Sequence, residues 1–259
     1  MPSQPHKPLG LRDLLAETLH IFWGHLRLYM ALILPFPLFF LLVAFLVVYS
    51  LVPRDSGADA LEMWRNISSL GKWAVIAAYL TTFAVLHRVY AATVFVASEA
   101  HLGRTITFWQ ALGRTRRRGL RFLWLLFIIN LLAAPTGLLA APAVALSVVF
   151  APAIPISLLE DLKVGAALKR SSFLTEGGYG RVVLLALLYV IACFAAMAAY
   201  LAFLGVAAGF WNSSEVWLAR FGFTALLAAF GVLGQLLMTA LTLNYYDQLA
   251  RKEQPVPSS

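Results

Sequence analysis

Charge is what this sequence has least of: only 12% of its 259 residues are Asp, Glu, Lys or Arg, against about a quarter in an average soluble domain. A soluble fold of this length has too little interior to hide a chain that is 61% hydrophobic, so hydrocarbon is expected to solvate part of it. Cysteine is almost missing. Its one thiol, Cys193, sits in an apolar run, cannot form an intrachain disulfide and reads as a small packing residue. Catalytic signatures are missing too. There is no His-Glu-x-x-His, no Gly-x-Ser-x-Gly and no phosphate-cradling glycine loop, and His6, His20, His25, His87 and His101 are scattered. No metal or cofactor is expected. A cleavable signal peptide is also missing, because the first long apolar run begins near Leu28, behind a charged and patterned segment. The N-terminus is expected to be retained.

What is there is a set of long uncharged runs. Between Phe122 and Leu159 no side chain is charged, which is too long for one span of about 20 residues. Pro135, Gly137 and Pro142 mark a tight turn inside it. The pattern predicts an all-α, polytopic membrane bundle of about six transmembrane helices, one integral membrane domain over 1–259. The spans fall at about 28–51, 73–97, 122–139, 142–159, 182–204 and 221–243. Pro35 and Pro37 should kink the first, and Pro152 and Pro155 the fourth. Small residues in span five (Ala192, Ala195, Ala196, Ala198, Ala199, Ala202) and Gly231 and Gly234 in span six would let helices approach closely, within the chain or across a homodimer.

Amphipathic helices are expected on the cytoplasmic side. Over 9–27, Leu11, Leu15, Thr18, Phe22 and Leu26 share one stripe, and Asp13, Glu17, His20 and Arg27 share the other. Such a helix lies in the membrane interface or packs on the protein's own cytoplasmic face. A second helix-like segment covers 99–120 and a third charged segment 160–181. This layout, a charged or amphipathic helix before a pair of spans, recurs loosely three times.

Orientation follows from lysine and arginine. Placing the N-tail, 98–121, 160–181 and the C-tail on one side gathers most of the 20 basic residues there, and leaves Arg54, Arg65, Lys72 and Arg220 opposite. Both termini are then cytoplasmic. Within this frame His87 and Arg88 stand out. With a span over 73–97, Arg88 lies about 15 Å from the cytoplasmic end at ~1.5 Å per residue. Two readings stand side by side. Arg88 faces the bundle interior and binds an anionic group, a lipid phosphate being a natural candidate. Alternatively, the span shifts toward 70–86 and Arg88 snorkels to the inner interface. No span carries Asp or Glu at its apolar centre, which lowers the odds of an ion-driven carrier.

Arg114, Arg116, Arg117, Arg118 and Arg121 cluster at the inner end of the third span. Each cation near an anionic leaflet is worth about 1 kcal/mol. The cluster either sets topology alone or binds lipid as well. Nucleic acid is not an expected partner for so short a patch against a bilayer. Membrane lipids are, together with a membrane-protein partner or a second copy.

Two stretches carry a resemblance. One is Glu160-Asp161-Leu162-Lys163-Val164-Gly165-Ala166-Ala167-Leu168-Lys169-Arg170-Ser171-Ser172-Phe173-Leu174-Thr175-Glu176-Gly177. The other is Leu243-Asn244-Tyr245-Tyr246-Asp247, followed by Arg251-Lys252-Glu253. They resemble the bacterial glycerophosphoryl diester phosphodiesterase membrane domain family, in which a Glu ending span four precedes an Ala-Leu-x-Arg-Ser helix and a Tyr-Tyr-Asp pattern closes span six. Gln248 and Ala250 depart from that pattern. The resemblance implies a bacterial inner-membrane protein and singles out Glu160, Arg170, Ser171, Tyr245, Tyr246 and Asp247. The family's fused catalytic barrel would need many more residues than follow span six, so no phosphodiesterase activity is implied. The expected function is a non-catalytic membrane module that organises anionic lipid or a membrane partner; the alternative is a carrier or flippase for an anionic lipid-like solute, using Arg88. Glu160 and Asp161 are expected to begin a cytoplasmic helix, at the end its dipole favours for acids. With Arg170 and Tyr245–Asp247 they are expected to lock interfacial helices to the bundle.

The orientation is testable. Reporter fusions after residue 116 should report the cytoplasm and fusions after residue 60 the opposite side; the reverse pattern would overturn the assignment.

Overall fold

A computed structural model describes residues 9–35, 69–116, 118, 124–125, 151–210 and 215–253. Regular structure among them is helical: α1 (Leu11–Gly24), α2 (Leu26–Ile33), α3 (Ser69–His101), α4 (Phe108–Thr115), α5 (Ala153–Leu159), α6 (Val164–Thr175), α7 (Tyr179–Phe210) and α8 (Glu215–Glu253). The all-α expectation therefore holds for these residues. Among the described residues two helices are long and apolar enough to cross a membrane, through Tyr179–Phe203 in α7 and Ala225–Lys252 in α8. Over an apolar 18-residue window of each, only 11% of the α7 residues are buried, against 56% for α8. Leu187, Ile191, Phe194 and Leu201 of α7 are all exposed, as suits a helix with an apolar solvent rather than the core of a soluble fold.

α3 covers the second expected span, and α7 and α8 extend beyond both ends of the fifth and sixth. Most of the first span and of the loop after it, nearly all of the third and the first half of the fourth lie outside the described residues, as do Arg117 and Arg121. What is described of the fourth ends in α5. Pro155 sits in its first turn, where a missing N–H costs no helical hydrogen bond.

Three expected segments are corrected. The single helix over 9–27 breaks at His25 (φ −116°, ψ 22°), whose ring N–H donates to the Ile21 carbonyl at 3.1 Å and closes α1. The face α1 buries is Leu14, Thr18, Ile21 and Phe22, slightly rotated from the expected stripe. It packs on Leu185 of α7 and on Ala240 and Leu243 of α8, so α1 lies on the protein itself. The segment 99–120 is not one helix. Gly103 takes φ 67°, the Arg104 N–H donates to the Glu99 carbonyl (2.8 Å), and the Gly103 N–H donates to the Ala100 carbonyl (3.0 Å). This glycine stop ends α3 at His101. α4 then starts on its own reciprocal cap: Thr107 Oγ1 accepts from the Gln110 N–H (3.4 Å) and Gln110 Oε1 from the Thr107 N–H (3.0 Å). Finally, Glu160 and Asp161 do not begin a helix. Glu160 closes α5, and Asp161 turns the chain at φ 55°, a conformation Asp tolerates better than most residues.

α8 is the central element and packs against α1, α2, α3, α5, α6 and α7. Gln235, Thr239, Thr242, Asn244, Asp247 and Gln248 are all buried along it. Thr239 Oγ1 lies 3.0 Å from the Tyr29 hydroxyl, and Gln235 Nε2 donates to the Tyr29 carbonyl (3.1 Å), which stitches α2 to α8. Glycines of α8 allow close approach, while four of the α7 alanines, Ala195, Ala198, Ala199 and Ala202, are exposed. A Cβ at Gly231 would overlap Ile33, and one at Gly234 would overlap the Tyr90 ring.

Gly234→Ala should therefore destabilise the detergent-solubilised protein by about 1–3 kcal/mol, the usual cost of overpacking. Thermal unfolding should show a smaller cost in a Tyr90→Ala background. Equal costs in both backgrounds would mean that the ring contact does not matter.

Candidate functional site

Chemistry-bearing side chains gather where α3, α4, α5 and α6 meet the last turns of α8. The resemblance placed Tyr245, Tyr246 and Asp247 in one group, but the structure sends them three ways, as consecutive positions about 100° apart on a helix must go. The Tyr245 hydroxyl donates to Glu160 Oε1 (2.9 Å), and Arg170 Nε meets the same oxygen at 3.5 Å. Glu160, Arg170 and Tyr245 thus join α5, α6 and α8. Ser171 is buried on α6, where its carbonyl accepts from the Thr175 hydroxyl at 2.7 Å. Tyr246 turns to α3, with its hydroxyl 2.7 Å from Ser98 Oγ and its ring 5.0 Å from the ring of His101.

Asp247 turns to the other side. Its carboxylate is fully buried and accepts from Arg181 Nη1 (2.5 Å), Arg251 Nε (2.8 Å) and the Leu9 backbone N–H (2.6 Å). Arg251 also donates to the Leu9 carbonyl (3.0 Å). The entry to α1 is clamped at both backbone groups of one residue.

The expected arginine cluster divides. Arg114 Nη1 pairs with Glu99 Oε1 at 2.5 Å, and Arg104 approaches the same carboxylate at 4.0 Å. Arg118 pairs with Asp161 (3.4 Å) and donates to the Leu158 carbonyl. The guanidinium carbons of Arg114 and Arg118 lie 6.0 and 5.8 Å from the Phe95 ring centroid, within cation–π range. Arg116 is exposed and makes no side-chain hydrogen bond or ion pair among the described residues. Together Arg114, Arg116, Arg118, Phe95, Ser98, Glu99 and Tyr246 line a cavity of about 730 Å³.

Arg88 does not line that cavity. Its Nε donates to Thr115 Oγ1 (3.0 Å) and its Nη2 to the Leu112 carbonyl (3.5 Å), at the C-terminal end of α4. A cation there meets the negative end of the helix dipole. His87 is half-buried, with its ring edge-on to Tyr90 at 6.3 Å.

Glu99 and Arg181 escaped notice in the sequence as site residues, and Asp161 was noticed without its partner Arg118. The available signal was the rarity of acids: where carboxylates are few and lie beside basic segments, each has an arginine within reach. No family model, curated protein or solved structure matches this chain.

Removing the Asp247 carboxylate strands two guanidiniums and a backbone N–H. Asp247→Ala should cost about 3 kcal/mol, as for breaking a buried ion pair. Arg170→Ala, in a pair that is part exposed on both sides, should cost about 1 kcal/mol or less. Thermal unfolding in detergent checks the order, and equal losses would show that burial of Asp247 is not what matters.

Proposed function

We propose that this chain is a six-span, non-catalytic membrane protein of a bacterial inner membrane that binds anionic lipid headgroups through its arginine-lined cavity. It would be a relative of the family that its 160–177 and 243–253 stretches resemble. The observation behind the reading is the state of the three described arginines. Glu99 and Asp161 hold Arg114 and Arg118 in place over Phe95, while Arg116 keeps its charge unpaired among the described residues. Ordered cations beside a free one suit a phosphate, because little side-chain freedom is lost when it arrives. The volume is in the range of ligand cavities, roughly 300–1,000 Å³. Trp109, exposed on the neighbouring α4, suits the headgroup layer. The carrier alternative rested on the proline-kinked first and fourth spans and on Arg88, whose contacts with α4 already give that charge a structural use.

The test is lipid retention. In nanodiscs of mixed phosphatidylglycerol and phosphatidylcholine, native mass spectrometry should find phosphatidylglycerol enriched on the wild-type protein. Arg116→Ala should reduce that enrichment about fivefold, the equivalent of ~1 kcal/mol for one cation. Raising salt should weaken it further. No enrichment, or full enrichment in Arg116→Ala, would sink the proposal.

A further inference from the structure

A smaller cavity, of about 280 Å³, lies on the other side of the last turns of α8. Gly177, Gly178, Arg181, Gln248, Arg251 and Lys252 line it, with Leu174 and Glu176 at its wall. The local sequence explains its shape. Gly177 takes φ 82°, which ends α6 and lets α7 start at Tyr179, so the positive end of a long helix faces this corner. Gly178 has no side chain, and a Cβ there would press on Gln248 Nε2 at 3.1 Å. Asp247 fixes two of the cations, holding Arg181 and Arg251 at 2.5 and 2.8 Å. Lys252 Nζ stands 5.0 Å from the Phe173 ring centroid.

The unusual member is Gln248. It is 4% exposed, yet neither its amide oxygen nor its amide nitrogen has a hydrogen-bond partner within the described protein. A buried amide left so costs about 1–3 kcal/mol, and the position is one where the sequence departs from the pattern it otherwise resembles. A side chain that offers both a donor and an acceptor inside a cationic cavity, next to a helix N-terminus, is built for an anion that can do the reverse of both.

We propose that this cavity is a second anion site, separate from the arginine-lined one, and that it takes a phosphate monoester group, free or on a lipid. The chemistry selects the class. A phosphate with a remaining P–OH accepts from Gln248 Nε2 and donates to Gln248 Oε1. A phosphodiester or a sulfate has no such proton and leaves the amide oxygen unsatisfied. Three cations, Arg181, Arg251 and Lys252, stand against two carboxylates, Asp247 and Glu176, and this balance favours a singly charged ligand over a dianion.

The test uses the full chain in phosphatidylcholine nanodiscs, with inorganic phosphate and sulfate as probes at matched ionic strength. Thermal stabilisation should reveal phosphate binding at least tenfold tighter than sulfate. Gln248→Met should stay folded, since it removes a buried unpaired amide, and should lose the preference. Lys252→Ala, at an exposed position, should weaken phosphate binding several-fold while leaving the fold intact, and it carries the test if Gln248→Met does not fold. The phosphate-over-sulfate preference is read apart from phosphatidylglycerol retention, so failure here is distinguishable from failure of the lipid-binding reading. If phosphatidic acid added to the discs competes with free phosphate, the group arrives on a lipid; if it does not, the ligand is soluble; either result supports the site. Equal response to phosphate and sulfate, or undiminished preference in a folded Gln248→Met protein, overturns it.

Discussion

Tyr245, Tyr246 and Asp247 are consecutive, and because a helix turns about 100° per residue they cannot share a partner. Tyr245 reaches the α5–α6 corner through Glu160, Tyr246 reaches α3 through Ser98, and Asp247 reaches α7 and the start of α1 through Arg181 and Leu9. Each bond alone is worth about 1 kcal/mol or somewhat more where charge assists. Their joint effect is on register. A slip of α8 by one residue, or a rotation by one position, breaks all three at once. Gly231 and Gly234 resist the same slip sterically, since a side chain in their place would overlap Ile33 or the Tyr90 ring. The polar triplet and these glycine contacts together fix the register of α8.

The same end of the bundle concentrates the acids of the described chain. Glu99, Glu160, Asp161 and Asp247 each pair with at least one arginine. Arginine suits this work better than lysine, because its planar fork meets a carboxylate and a backbone carbonyl together, as Arg251 does with Asp247 and Leu9. The chain has 20 basic residues and 12 acidic ones, so pairing cannot exhaust the cations. The surplus appears on both sides of α8, at Arg116 and at Lys252. Both candidate anion sites thus arise from one arrangement, in which carboxylates order some cations and leave others facing open space.

Much of the architecture was legible in the sequence because it depends on composition over long windows. The helical class, α3 over the second expected span, and the positions of α7 and α8 all follow from apolar runs. Local breaks were harder. The stop at Gly103 and the turn at Asp161 depend on single backbone angles, and the break at His25 on one ring-to-carbonyl bond, so periodicity carried the expected helices straight through them. Site residues were legible as types and not as partners. The arginine cluster was visible, but that Arg114 answers to Glu99 and Arg118 to Asp161 depends on the turn at Gly103 folding α4 against α3. Gln248 was noticed only as a departure from a pattern; its burial is a property of packing against Gly178.

Arg88 shows how the breaks and the charges work together. From Arg88 to His101, α3 rises about 20 Å at ~1.5 Å per residue, deep for an arginine if the bilayer surface lay at the end of that helix. The Gly103 stop sends the chain back to form α4, whose Leu112 carbonyl and Thr115 hydroxyl receive the guanidinium. Trp109 and Trp23, both exposed, lie on α4 and on α1. In the proposed membrane arrangement the headgroup layer then follows α1 and α4 rather than the tip of α3. The last turns of α3 and α8, with the ion pairs and both cavities, stand inside that layer or beyond it. In that proposed arrangement, a charge that looked misplaced against a straight span would be in place against a surface defined by the short helices, and both cavities would lie where phosphate groups of either kind reach them.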